Sequence, residues 1–142
     1  MSKRSRVQLK HAARRLALQA LYQAQFADKS YVDCLAEFLS DIDYAEVDVD
    51  YFKVLVKGVL ENKTQIQEQL SPFCDRPVSE LNPIELSSLM IAMYEFLYLP
   101  DVPYRVVINE SIELTKEFGT VEGHRFVNGV LDKAAKKLRK NG

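Results

Sequence analysis

The chain has 142 residues, which is enough for one domain with its own hydrophobic core, and two cysteines exclude a fold built on a disulfide framework. Its composition, 47% hydrophobic and 27% charged, is that of a globular protein, and no apolar run approaches the roughly 20 residues that cross a bilayer. The net charge of −1 hides a segregation: residues 1–27 carry six bases and no acid, residues 132–142 carry five bases and one acid, and the chain between carries eight bases and nineteen acids.

The first predicted helix covers residues 6–26, and five apolar residues at helical spacing share one stripe: Leu9, Ala13, Leu16, Ala20 and Ala24. The basic start raises the question of a secretion signal. Glutamines interrupt the apolar run that follows it, and no small-residue cleavage site comes after. We therefore predict a cytoplasmic protein in which Cys34 and Cys74 stay reduced.

Two further helices are predicted before residue 71. Ser30 is a good N-cap for a second helix that ends near Leu39, and the acidic stretch 41–50 is typical of a loop. A third helix of about five turns then places Phe52 through Ile66 toward the core. Ser71 and Pro72 end it, because the residue before a proline avoids the helical conformation.

The second half of the chain is also predicted to be helical. Asn82 can cap a helix that starts at Pro83, with Glu85 reaching back to the cap amide, and the apolar sequence that follows predicts a central helix. Another helix runs from near Pro103 to Gly119, for which we predict a left-handed C-cap. Thr120 caps the last helix, and glycines inside helical patterns, Gly58 and Gly129, suggest close packing. No segment alternates as a strand does, so the prediction is a single all-α domain of six or seven helices.

The basic residues of the first helix form one face. Lys3, Lys10 and Arg14 recur at helical spacing, and Arg4, His11 and Arg15 repeat that spacing one residue later, with Tyr22 at the edge. Cations at a helix N-terminus oppose the helix dipole, so we expect the first residues to fray until a polyanion neutralises them. The alternative interpretation is an ordinary solvated basic surface, and the lysines after residue 132 suit a last helical turn.

No catalytic constellation is present in the sequence. The only histidines, His11 and His124, have no neighbours that suggest a triad, a metal pair or a general base. The glycines form no phosphate-binding loop. We therefore predict a protein that is not an enzyme and has no cofactor, no metal and no catalytic residue.

Several segments together resemble the NusB family. The helix Arg14–Tyr22 looks like the family's arginine-rich start followed by Ala-x-Gln-Ala-Leu-Tyr, and Ile91–Glu95 is similar to its central helix. The most specific similarity runs from Asp101-Val102-Pro103-Tyr104 through Val107-Ile108-Asn109-Glu110 to Phe126-Val127-Asn128-Gly129-Val130-Leu131-Asp132-Lys133. The resemblance covers nearly the whole chain in order.

The resemblance implies a fold and a role. The fold would be one NusB-like RNA-binding domain, residues 1–142, of two packed helical subdomains, roughly 1–75 and 76–142. The protein would pair with the ribosomal protein NusE, bind boxA single-stranded RNA of rRNA leaders, join other Nus factors on RNA polymerase and suppress premature termination. By position, the RNA surface would be Lys3, Arg4, Arg6, Lys10, His11, Arg14 and Arg15, with Tyr22 beside it. NusE contacts would involve Glu85, Glu122, His124, Arg125 and Phe126.

The chain departs from the family pattern in two places. The family's arginine cluster is often continuous where this chain reads Lys10-His11-Ala12-Ala13-Arg14, and Leu86 and Met90 are apolar where basic residues are common. Helical spacing buries Phe126 with Val130, whereas the resemblance places it near the partner.

Two alternative functions stay open, as does the oligomeric state. The chain could be the NusB-like module of an rRNA methyltransferase. Such a module is followed by a large catalytic domain with a cofactor-binding α/β pattern, which this sequence does not contain. It could also be a helical protein–protein scaffold that does not contact RNA. Monomer and homodimer are equally compatible with the sequence.

Overall fold

The computed structural model describes residues 4–139, and within this range it contains seven α-helices, two short 3-10 turns and no strand. The helices are α1 Arg6–Phe26, α2 Tyr31–Leu39, α3 Val49–Glu61, α4 Lys63–Leu70, α5 Pro83–Tyr98, α6 Tyr104–Phe118 and α7 Val121–Leu138. The 3-10 turns are Ser71–Phe73 and Val78–Glu80. The predicted all-α class is confirmed.

A capping box that was not predicted from the sequence starts α1. Ser5 Oγ accepts the amide of Gln8 at 3.2 Å, and Gln8 Oε1 accepts the amide of Ser5 at 2.8 Å. These bonds satisfy two N-terminal amides without an acidic residue in the first turn. They oppose the fraying expected from the clustered cations.

The chain forms two compact units, and the first ends at Glu61. Within it α1 packs on α3, and α2 packs on both. The buried side of α1 is Ala13, Arg14, Ala17, Leu18, Ala20 and Leu21. The predicted apolar stripe was therefore partly wrong, because Leu9, Leu16 and Ala24 are only half-buried. The face of α1 that packs in the core includes Leu18 and Leu21 instead.

The loop between α2 and α3 is tied to α1 by its backbone. The predicted Ser30 cap of α2 is confirmed, with Ser30 Oγ accepting the amide of Asp33 at 3.1 Å. At the other end of the loop, the amide of Asp48 donates to Leu9 O at 3.1 Å. Asp48 Oδ1 accepts the amide of Tyr51 at 3.0 Å and so caps the start of α3.

The predicted third helix was wrong in one respect, since it is two helices. Asn62, with φ −115° and ψ 20°, separates α3 from α4. The second unit begins at Asn62, whereas the division predicted from the sequence lies near residue 75. The reason is that α4 packs on α5, with Ile66 and Leu70 fully buried.

Helix α5 is central to the second unit, as predicted, and contacts α4, α6 and α7. Asn82 caps it through a 2.8 Å bond from the amide of Ile84, but Glu85 does not complete a capping box. On the α6 side, Ser88 and Ser111 are buried, and their hydroxyls hydrogen-bond each other. Small polar side chains with satisfied bonds let these two helices pack closely.

The ends of α6 and α7 complete the second unit. The predicted left-handed conformation of Gly119 was wrong, because its φ is −117° and no positive φ occurs among the described residues. Thr120 caps α7 as predicted, accepting the amide of Gly123 at 3.0 Å. The prediction that Gly129 allows close helix packing was also wrong. Gly129 is exposed, and a Cβ added to it would meet no atom within 4 Å.

Candidate nucleic-acid interface

The cations predicted to bind RNA differ widely in exposure. Arg4, Arg6 and Arg15 are exposed, and Lys10 and His11 are half-buried. Arg14 is only 3% exposed. Lys3 lies outside the described residues. The exposed basic surface of α1 is therefore narrower than the sequence spacing predicts.

Arg14 is buried because it packs on Tyr51 of α3. Its Nη2 donates to Tyr51 Oη at 3.4 Å, and its Cζ lies 5.2 Å from the ring centroid. Lys10 Nζ lies 4.8 Å from the same centroid. Two cations thus share one aromatic ring, which keeps their charge in a half-buried site by cation–π attraction. This role of Tyr51 was not predicted from the sequence.

Arg4 is held to the loop that follows α2. Its Nε forms an ion pair with Glu46 Oε2, and its Nη1 donates to Glu46 O at 3.4 Å. The two side chains are 45% and 49% exposed. An ion pair this exposed is worth little in water, so an anionic ligand can compete with Glu46 for Arg4.

A half-open cleft of about 320 Å³ lies between α1 and this loop. Its lining residues are Arg4, His11, Ala12, Arg15, Leu16, Ile42, Glu46 and Val47. Three of the predicted RNA-binding residues therefore surround one concave site. The loop residues Ile42, Glu46 and Val47 were not predicted, because no local pattern in the sequence shows that the loop folds back onto α1.

Tyr22, predicted at the edge of the basic face, is half-buried and packs on Phe26. The ring centroids are 5.0 Å apart in an edge-to-face arrangement. Phe26 is 66% exposed. The C-terminal end of α1 thus presents an aromatic pair, of which one member was predicted from the sequence.

The predicted partner residues lie in the second unit, at the starts of α5 and α7. Glu122 and Arg125 are exposed, and His124 and Phe126 are half-buried. Phe126 is thus neither a core residue nor fully exposed. The guanidinium carbon of Arg76 lies 4.3 Å from its ring centroid, a contact that was not predicted.

Glu85 is buried next to the start of α7. A Cβ built on Gly123 would lie 3.1 Å from Glu85 Oε2 and 3.2 Å from Thr120 Oγ1, so the absence of a side chain at Gly123 makes room for the carboxyl group. Burial raises the pKa of Glu85 above its ordinary value, and the nearby charge of Arg76 partly opposes the rise. The carboxyl group of Glu85 is therefore held in a buried site next to Gly123 and is not a solvated surface group.

Leu86 and Met90, at positions where the family often carries basic residues, are 9% and 2% exposed. They add no charge to any surface. Across residues 4–139, no group of three or more metal-ligating side chains is assembled, and no helix is long and apolar enough to span a membrane.

The fold and the charges of α1 define the class, an all-helical protein whose first helix exposes cations and contains no acidic residue. The sequence profile of the NusB family matches residues 11–136. The transcription antitermination protein NusB of Idiomarina loihiensis is 54% identical over 89% of this chain and 91% of its own length. NusB of Pseudomonas entomophila is 51% identical over 89% of this chain and 76% of its own length. The chain belongs to the NusB family.

Solved structures give the same result for the fold. T. maritima NusB matches with a TM-score of 0.80 and 29% identity, covering 89% of this chain and 90% of that one. NusB in a crystal structure of NusB and NusE with double-stranded RNA matches with a TM-score of 0.75 and 21% identity, covering 89% and 96%. The predicted family is confirmed: the protein is a transcription antitermination factor and not an enzyme.

Proposed function

We propose that this antitermination factor binds boxA-type single-stranded RNA of rRNA leader transcripts through α1, and that it does so together with NusE. The observation that carries the proposal is the exposure of Arg4, Arg6 and Arg15 on and just before a helix that contains no acidic residue. Lys10, His11 and Tyr22 extend this surface. We assign Arg14 to its support, since Arg14 is buried against Tyr51, whose ring Lys10 also contacts.

The exposed arginines suit phosphate binding. Each guanidinium can bind a phosphate through two parallel hydrogen bonds, and neutralised phosphates release counterions. About three such contacts on a single strand predict that log K falls by roughly two for each tenfold rise in salt. Because phosphate contacts carry no sequence information, selectivity has to come from unstacked bases or from the partner.

We assign the NusE contact to the start of α7, where Glu122 and Arg125 are exposed and His124 and Phe126 are partly so. A half-buried aromatic ring with an arginine on its face, surrounded by charged groups, has the character of an interface anchor. The solved complex of a protein with this fold contains NusE and double-stranded RNA, which supports testing both partners and both RNA forms. The other Nus factors and RNA polymerase would be engaged through this assembly, in the cytoplasm.

The experiment that tests the proposal is RNA titration at two salt concentrations with and without NusE. The RNAs are a boxA-like single strand, a scrambled strand and a duplex. Selective binding of the boxA-like strand that tightens with NusE is expected. Binding without selectivity under every condition would contradict the boxA assignment, and no RNA binding at all would favour the scaffold hypothesis.

Matched variants locate the surface. Arg15→Gln removes an exposed cation of α1, and Arg105→Gln removes an exposed cation of α6. Arg15→Gln should weaken RNA binding and lower the salt slope by about 0.7, the value for one phosphate contact, while Arg105→Gln should change neither. Equal effects of both variants would show that binding is diffuse. Sedimentation of the free protein tests the homodimer.

A further inference from the structure

The cleft between α1 and the loop that follows α2 has walls of different chemistry. Four apolar side chains contribute to its lining: Ala12, Leu16, Ile42 and Val47. Arg4, His11 and Arg15 line it with basic groups. The carboxylate of Glu46 also lines it, and the carbonyl of Glu46 is near enough to accept from Arg4.

We propose that this cleft receives one unstacked base of the bound RNA, with the adjoining phosphates on Arg4 and Arg15. An apolar lining suits the faces of a nucleobase, and the neighbouring cations suit the phosphates on either side of it. Glu46 offers acceptors to the N–H donors of a base edge, as acidic side chains do toward the amino group of cytosine. The inference rests on the proposed function and adds a base site to it.

The size and placement of the cleft agree with this occupant. Its volume of about 320 Å³ falls at the lower end of the range for small-ligand sites, and it is partly open to solvent, as a base that stays attached to a strand requires. The loop wall is anchored, because the amide of Asp48 donates to Leu9 O on α1. The site is thus held by backbone contacts and is not formed by side chains alone.

Binding at this site involves the ion pair between Arg4 and Glu46. When a phosphate binds Arg4 in place of Glu46, the carboxylate of Glu46 becomes available to accept hydrogen bonds from the base. The two events support each other, since neither group is left unpaired. The cleft therefore favours a nucleotide, which brings both a phosphate and a base edge, over a bare anion.

The test compares a short single-stranded RNA with a strand of equal length and charge that lacks bases. Two variants keep every cation: Ala12→Leu fills the cleft, and Glu46→Gln removes the carboxylate. Ala24→Leu is the matched control, since Ala24 is also a half-buried alanine of α1 but does not line the cleft. The readout is the ratio of the affinities for the two strands, because phosphate contacts cancel in that ratio.

The wild-type protein should prefer the base-bearing strand, and Ala12→Leu should reduce that preference about five-fold or more without changing the affinity for the abasic strand. Glu46→Gln should also reduce the ratio, and Ala24→Leu should not. If the wild-type protein binds both strands equally, or if Ala12→Leu and Ala24→Leu behave alike, the base site is wrong and RNA binding by α1 stands. If it binds neither strand, the proposed function fails as well.

Discussion

Arg14 of α1 donates a hydrogen bond to Tyr51 of α3, and its guanidinium carbon lies 5.2 Å from the centre of the tyrosine ring. With 3% exposure, Arg14 belongs to the core of the first unit. The next residue, Arg15, is exposed. Adjacent arginines on one helix therefore have different tasks, one joining two helices and the other facing solvent.

This difference predicts that the two arginines separate stability from RNA binding. Arg14→Ala should lower the free energy of unfolding by about 1–3 kcal/mol, because it removes a buried cation–π contact and a hydrogen bond. Arg15→Ala should leave stability nearly unchanged and weaken RNA binding. Urea denaturation and RNA titration of both variants give the comparison. Equal losses of stability would mean that Arg15 is also structural.

A second prediction concerns Arg139, which caps the C-terminal end of α5. Its guanidinium donates to four carbonyl oxygens, those of Phe96 at 3.2 Å, Val102 at 2.8 Å, Glu95 at 3.0 Å and Leu99 at 3.1 Å. Arg139→Ala removes all four bonds, although Glu95 O and Leu99 O still accept from backbone amides, and it should cost about 2–4 kcal/mol of unfolding free energy.

Two further variants test the geometry of that cap. Arg139→Lys keeps the charge but not the planar set of donors, so it should recover only part of the loss. Lys137→Ala, at an exposed position two residues earlier, should change stability little. Full recovery by lysine, measured by urea denaturation, would show that charge alone is sufficient.

Two glycines should respond to alanine with opposite signs. A Cβ on Gly119 would lie 2.8 Å from Thr115 O, so the backbone has to shift, and Gly119→Ala should destabilise the protein by about 1–3 kcal/mol. Gly129 lies inside α7 with open space around it, so Gly129→Ala should stabilise by about 0.5–1 kcal/mol through helix propensity. Thermal unfolding of both variants decides the signs, and a Tm that moves the same way in both would contradict the prediction.

The buried Glu85 predicts a pH dependence of stability. Its pKa in the folded protein is raised above the ordinary value of 4.5 by burial, so in the window above 4.5 the folded state holds the proton that the unfolded state has lost. Protonated Glu85 therefore contributes its full stabilisation at a pH below its pKa in the unfolded state. This contribution is lost as the pH rises through the pKa of Glu85 in the folded state. Glu85→Gln should therefore gain stability relative to the wild type as pH rises through that window.

Urea denaturation of the wild type and Glu85→Gln at several pH values measures the difference. Glu113→Gln, which replaces an exposed carboxylate of α6, is the control and should leave the difference from wild type small. A stability difference between Glu85→Gln and the wild type that stays constant or reverses with pH would show that the carboxyl group is not held in a desolvated site.

Much of this protein was determined by its sequence alone. Ser30, Asn82 and Thr120 cap helices where the sequence places them, because a cap needs only bonds within a few residues of itself. The apolar density of α5 predicted its central position. The family followed from motifs spread over the chain, and the basic character of α1 followed from counting charges.

The tertiary structure alone decided which of those charges are available. Arg14 is buried because α3 brings Tyr51 against it, and the cleft exists because the loop carrying Glu46 returns to α1. No local pattern marks the break at Asn62, and Gly119 ends its helix with a φ of −117° where the local pattern predicts a left-handed conformation. Helical spacing assigns a residue to a side of its own helix, but exposure depends on what packs against that side, and those partners are distant in sequence.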